Sequence, residues 1–470
     1  MKRISPLREN DARIFNDFAE TLFCESIKVR EVEKVMRVGE ELAEYITALS
    51  YDDLPSDVVH QVKRVILDCL GTIYMGARKE EAAGVAKFLE GLGEGDCTVI
   101  GAGSKSSVLW AAWANAAYSQ VHDCNDGHRK AAAYGGSSHP GRVAVPTALA
   151  MGEELSSSGK DVIAAIVAGY DVATKLRGMK ERPPSGAYGT AAIASKLLGL
   201  DVDKTRFAMG IAGYHSPKVF PNTRGLDTNF LANGYQAKVG IEAALMAREG
   251  LNGPKLGDDN RLSTRFKTRG LGEEYEVMNV YIKPWPTCRM THGAVEAILE
   301  LKKEAEITPE NVEEVTVSQL THGMYIVDEK VGTDSYYKSC QFNLPYIAAC
   351  AIADGDVTEA QFTRERIADP AIHELAEKVK VVADEGLDSI YPEECRPTTV
   401  EVKTKDGKIY TKRVDYPKGE PRRPLTDEAL YEKFVKWSGP SLSLEKAERI
   451  WEALLRLEEL EDVSEFMGLL

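Results

Sequence analysis

Apolar positions repeat at helical spacing along the first 250 residues of the chain. Between residues 56 and 77, Val58, Val62, Val65, Ile66 and Leu70 fall on one face, which predicts an amphipathic helix. Leu54-Pro55 breaks the helix before it (G-E-E-L-A-E-Y-I-T-A-L-S), and Asp53 or Ser56 caps the new one. Further helices are expected over Leu109–Gln120, Arg142–Leu155, Asp161–Arg177, Ala187–Leu200, Thr205–Tyr214 and Leu231–Glu249. Alanine occurs in all of them and glycine in all but the first, which lets helices approach closely. No strand is needed before about residue 279, so this part reads as an all-helical bundle. Residues 1–37 are charged, with apolar Ile14, Phe15, Phe18, Leu22 and Phe23. They read as an extra amphipathic arm that packs on a partner subunit.

The pattern changes after Gly253-Pro254. Glu313–Leu320 alternates as a strand does, and Thr398–Tyr416 reads as a hairpin turning at Asp406-Gly407. Helical stretches at Thr291–Glu306, Tyr346–Ala353 and Ile372–Val381 lie between them. Helical periodicity then returns, with Leu444–Leu457 clearly amphipathic. The expected fold class is mainly α: a large all-helical domain (38–278 plus 413–470) with an inserted smaller α+β lid domain (279–412).

Composition narrows the class. The 470 residues are 43% hydrophobic and 28% charged, with a formal net charge of -15, which argues against nucleic acid or an anionic membrane as partner. A local basic pocket for an acidic small molecule remains compatible with that charge. The eight cysteines, at 24, 69, 97, 124, 288, 340, 350 and 395, include no C-x-x-C pair. Scattered in a chain this long, they suggest reduced thiols and a cytoplasmic protein. No apolar run reaches the ~18 residues of a membrane span.

The chemistry concentrates in one stretch. His122–Gly141 reads H-D-C-N-D-G-H-R-K-A-A-A-Y-G-G-S-S-H-P-G and holds His122, His128 and His139 beside Asp123 and Asp126. Its glycines and proline make it a loop between two apolar helices. Asp123, His128 and His139 fit no zinc spacing, so no metal is expected. No phosphate-binding glycine loop is present, which argues against a nucleotide enzyme.

Several separated blocks resemble the MmgE/PrpD family, in the family's order, from about Val38 onward. They are L-P-S-D-V-V-H-Q-V-K-R-V-I-L-D-C-L-G, the Asp123/Asp126 loop ending in H-P-G, G-T-A-A-I-A-S-K-L-L-G-L, G-I-E-A-A-L-M-A-R-E-G-L-N-G-P, K-P-W-P-T-C-R-M-T-H and Y-P-K-G-E-P-R-R-P-L. The family includes 2-methylcitrate dehydratase, cis-aconitate decarboxylase and iminodisuccinate epimerase. The resemblance implies a helical domain with a discontinuous lid, a homodimer, no metal or organic cofactor, and a small carboxylic acid bound between the domains. It implies catalytic roles for Asp123, His139 and Lys283. Tyr325 stands one position off the register of the family's active-site tyrosine. Three positions depart from the decarboxylase branch: Arg182 and Cys288 replace histidines, and Asn229 replaces a lysine.

Physical chemistry assigns roles beside the resemblance. Removing a proton next to a carboxylate needs a positioned base and stabilisation of the enolate-like product. His139 is the candidate base, oriented by Asp123 as a carboxylate orients an imidazole in hydrolases. Lys283, Arg182, Arg224 and Arg289 are available to hold substrate carboxylates. Lys283 is expected to act on substrate and not on the core. Tyr188, His128 or His292 could protonate a leaving hydroxyl. Asp126 is read equally as a helix cap or supporting group and as a catalytic group, and is placed among the substrate contacts. Cys288 is the second base if the reaction is an epimerisation. The favoured reading is a hydro-lyase acting on a hydroxylated acid such as 2-methylcitrate. The alternatives are an iminodisuccinate-type epimerase, a decarboxylase of the cis-aconitate type and a non-catalytic carboxylate-binding dimer.

Overall fold

A computed structural model describes residues 38–129, 139–175, 185–216, 226–254, 270–389 and 396–470. The expectations for residues 1–37, Arg182 and Arg224 lie outside them. The N-terminal helices are α1 (38–48), α2 (Ser56–Ala77), α3 (Ala83–Glu90) and α4 (Val108–Ser119), followed by α5 (Gly141–Leu155) and α6 (Gly159–Lys175). Next come α7 (Ser185–Leu197), α8 (Val202–His215) and α9 (Thr228–Arg248). Small residues decide how closely they pack. A Cβ on Gly189 of α7 would stand 2.8 Å from the Gly169 carbonyl oxygen of α6, a distance only glycine permits.

This region is not wholly helical. Strands β1 (Cys97–Val99) and β2 (Ser104–Ser106) form a hairpin, and β3 (Gly127–His128) pairs with β4 (Val280–Tyr281). The expectation of no strand before residue 279 missed them because two or three residues are too few to show a period. The β1–β2 turn has positive φ at Gly101 and Gly103, which supplies the reversal.

A four-stranded sheet lies further along. It contains β5 (Val312–Gln319), β6 (Val379–Ala383), β7 (Thr398–Thr404) and β8 (Ile409–Val414), in the order β6-β5-β7-β8. The pair β5–β6 is parallel and the others antiparallel. Along β7, Thr398, Val400, Val402 and Thr404 face inward, against helix α10 (His292–Glu304). The helix expected over Ile372–Val381 ends at Ala376, and Val379 begins β6. The β-branched V-K-V-V run pairs with β5, and that pairing overrides the helical reading. Helix α11 (Leu344–Asp354) is buried nearby.

The chain then returns to helix in α12 (Asp427–Ser438) and α13 (Leu444–Leu455). Helix α12 packs on α2, with Lys433 paired to Asp68 across that contact. Among the described residues, no helix is long and apolar enough to cross a membrane.

Candidate active site

The loop after α4 is built by its own hydrogen bonds. Asn125 Nδ2 donates to the Ser119 carbonyl (2.6 Å), and Gly141 N–H donates to Asp126 Oδ1 (3.1 Å), tying the start of α5 back to the loop. Strand β3 then pairs with β4 in the register Gly127↔Tyr281. That register explains the glycine: a Cβ at Gly127 would lie 2.1 Å from the Tyr281 hydroxyl. Two residues past Tyr281, Lys283 returns to the loop. Its Nζ donates to Asp123 Oδ2 (2.7 Å) and to the Asp123 carbonyl (3.0 Å). Both side chains are buried, Lys283 at 1% exposure.

His139 is partly buried beside this pair. Its Nδ1 lies 2.7 Å from the Asp126 main-chain oxygen. A carbonyl only accepts, so Nδ1 carries the proton and Nε2 the lone pair. This corrects the hydrolase-like expectation: the Asp126 main chain holds the imidazole, while the Asp123 carboxylate is engaged by Lys283. The charged lysine is the stronger competitor for a buried carboxylate. Lys283 is correspondingly also a structural residue, contrary to the expectation that it acts on substrate alone.

The electrostatics follow from burial and these charges. Burial alone would raise the Asp123 carboxyl, but Lys283, His139 and Lys338 outweigh it and hold it below its ordinary value. Lys283 is held above its ordinary value, because the Asp123 charge overcomes burial. Burial, then the charges of Lys283 and Arg142, push His139 down to about 3. Burial and the Asp68 charge push Asp126 up to about 7.

Other proposed site residues are placed less favourably for substrate. The Arg289 fork is taken by Glu420, with Nε donating to Oε1 at 2.6 Å and Nη2 to Oε2, and its guanidinium lies 3.9 Å over the Tyr281 ring. A fork already matched to a buried carboxylate is not available to a second one. His128 meets Glu276 at 2.8 Å. Burial pushes His292 down to about 3; its Nε2 lies 3.3 Å from the Thr287 carbonyl and its ring sits edge-on to Trp285. Tyr188 is packed in the core of α7, its hydroxyl against Gly213. Tyr325 is 67% exposed. Cys288 is buried and close enough to Lys283 for their charges to interact. Among the described residues, no three His, Cys, Asp or Glu side chains converge to hold a metal ion.

Three residues with no signal in the local pattern complete the setting. Gln341 accepts from the Asp123 N–H (3.1 Å) through Oε1 and reaches His122 Nδ1 (3.0 Å) through Nε2. Lys338 donates to the Gln120 and Val121 carbonyls, and burial pushes it down to about 7. Tyr337 donates to the same Val121 carbonyl (2.8 Å). They lie over 200 residues from the loop, and only a buried Y-K-S-C-Q turn brings them there.

Residues 40–257 match the MmgE/PrpD N-terminal domain, and residues 285–459 match the MmgE/PrpD C-terminal domain. A cis-aconitate decarboxylase-like protein of Aspergillus oryzae is 27% identical over 92% of this chain and 97% of its own length. Cis-aconitate decarboxylase of Aspergillus terreus is 26% identical (92% and 96%), and that of Homo sapiens 28% identical (92% and 94%).

Proposed function

The chain belongs to the MmgE/PrpD family, and from that premise we propose that it is a lyase for a small tricarboxylic acid, with the acid–base chemistry carried by its own side chains. One observation carries the reading. His139 is locked in one tautomer by a main-chain carbonyl, with Nε2 left to exchange a proton beside the buried Asp123–Lys283 pair.

Loss of carbon dioxide from an acid of the cis-aconitate type is the favoured reaction. Relatives bearing that activity in their names align over nearly their whole length. Breaking the carbon–carboxylate bond leaves its electron pair on carbon. A positive site stabilises that charge, and His139 Nε2–H delivers the proton that quenches it. The resting imidazole is neutral because burial and two cations oppose its protonation. A bound polyanion offsets those cations, so His139 takes up its proton as substrate enters.

Elimination of water from a 2-methylcitrate-type acid is the second reading. It is favoured by Arg182, Asn229 and Cys288, which depart from the decarboxylase branch. There neutral His139 removes the proton. Epimerisation with Cys288 as a second base is disfavoured, since Lys283 and Arg289, which would favour its thiolate, are both paired to carboxylates.

The test is incubation with both acids in deuterium oxide, following carbon dioxide, alkene absorbance and deuterium in the product. Carbon dioxide release with one deuterium incorporated is expected, falling ~10²-fold or more in His139→Asn. A folded protein that turns over neither acid and exchanges no hydrogen would overturn the lyase reading.

A further inference from the structure

We propose that Tyr170 is a positioning residue for His139, acting through Asp126, so that helix α6 helps to set the tautomer of the active imidazole. The inference rests on the reading of His139 as the proton-exchanging group.

The acceptor that fixes His139 is a main-chain carbonyl in a loop, and a loop carbonyl must itself be held. Asp126 is held on every side. Its carbonyl accepts from His139 Nδ1 (2.7 Å), and its carboxylate accepts from Tyr170 Oη (2.7 Å) and Gly141 N–H (3.1 Å). One residue thus grips both ends of His139-Pro140-Gly141. The fit is tight, since a Cβ on Gly141 would come within 2.5 Å of Tyr170 Oη and 2.7 Å of Asp126 Oδ1.

Tyr170 and Asp126 are both buried. A buried carboxyl is costly unless its oxygens are hydrogen-bonded, and buried polar groups are best explained where they secure one arrangement. The arrangement secured here is the Asp126 segment, without which Nδ1 and Nε2 would compete for the proton.

The experiment reads the imidazole directly. In histidine-labelled full-length protein, ¹⁵N shifts of His139 report which nitrogen carries the proton. The parent should show Nδ1–H alone. Tyr170→Phe and Asp126→Ala, which keeps the main-chain carbonyl but loses both carboxylate bonds, should show mixed tautomers, with kcat lowered about tenfold or more and KM little changed. Tyr170→Phe removes one oxygen atom and serves if Asp126→Ala does not fold. A parent-like Nδ1–H signal in these variants would overturn the inference. The shifts need no turnover, so they decide it even if the protein proves inactive on every acid tried, an outcome that counts against the lyase reading alone.

Discussion

Replacing Lys283 by Met should destabilise the protein in a pH-dependent way. The lysine makes two charge-assisted bonds to Asp123 at 2.7 and 3.0 Å, and both residues are buried. Removing one partner of a buried pair leaves the other charge uncompensated, at about 3–5 kcal/mol. In the parent, Asp123 titrates below its ordinary value. Its contribution is therefore present above about pH 4 and lost as pH falls through the folded value. In Lys283→Met the largest remaining influence is burial, which raises the carboxyl. The sign then inverts: ionised Asp123 weakens the fold at neutral pH, and acid relieves it. Urea unfolding followed by tryptophan fluorescence should show the gap to the parent widest near pH 7 and narrower near pH 4.5. Adding Asp123→Asn should recover part of the loss, with a coupling well beyond the roughly 0.5 kcal/mol seen for independent sites. A loss below about 1 kcal/mol, or additive variants, would refute the account and return Lys283 to a purely substrate-facing role.

Arg289→Met should lower stability by about 3–5 kcal/mol by stranding the buried Glu420 carboxylate; full stability with loss of substrate affinity would show that the fork serves substrate. Cys288→Ser should keep the rate within about tenfold of the parent, whereas a general-base role would lose ~10²–10⁴-fold. The pH profile of kcat separates the two lyase readings. Decarboxylation needs the protonated imidazole, so kcat should fall as pH rises past the His139 value in the complex, which bound anions lift above about 3. A kcat that falls toward acid instead identifies neutral His139 as the base of an elimination.

The order of helices was readable because their periods run for three turns or more, as in Ser56–Ala77 and Gly141–Leu155. The hairpin at Asp406-Gly407 was readable because Gly407 alone meets its positive φ without strain. Strand β6 was not, since its partner β5 lies 60 residues away and only pairing distinguishes V-K-V-V from a helix end. The loop from His122 to Gly141 announced itself by composition, and Asp123, His139 and Lys283 are brought together in the fold.

Local pattern therefore settled which segments coil, where the chain turns and which loop concentrates titratable groups, because each depends on neighbours a few residues apart. Folding decided what those groups are to one another. It gave Asp123 to Lys283 and not to His139, and committed Arg289 to Glu420 and His128 to Glu276. It also brought Lys338, Gln341 and Lys433 to the loop from more than 200 residues away. The partner of a buried charge is chosen by proximity and by competition for a few desolvated acceptors. Both are properties of the packed chain, and neither leaves a period in the sequence.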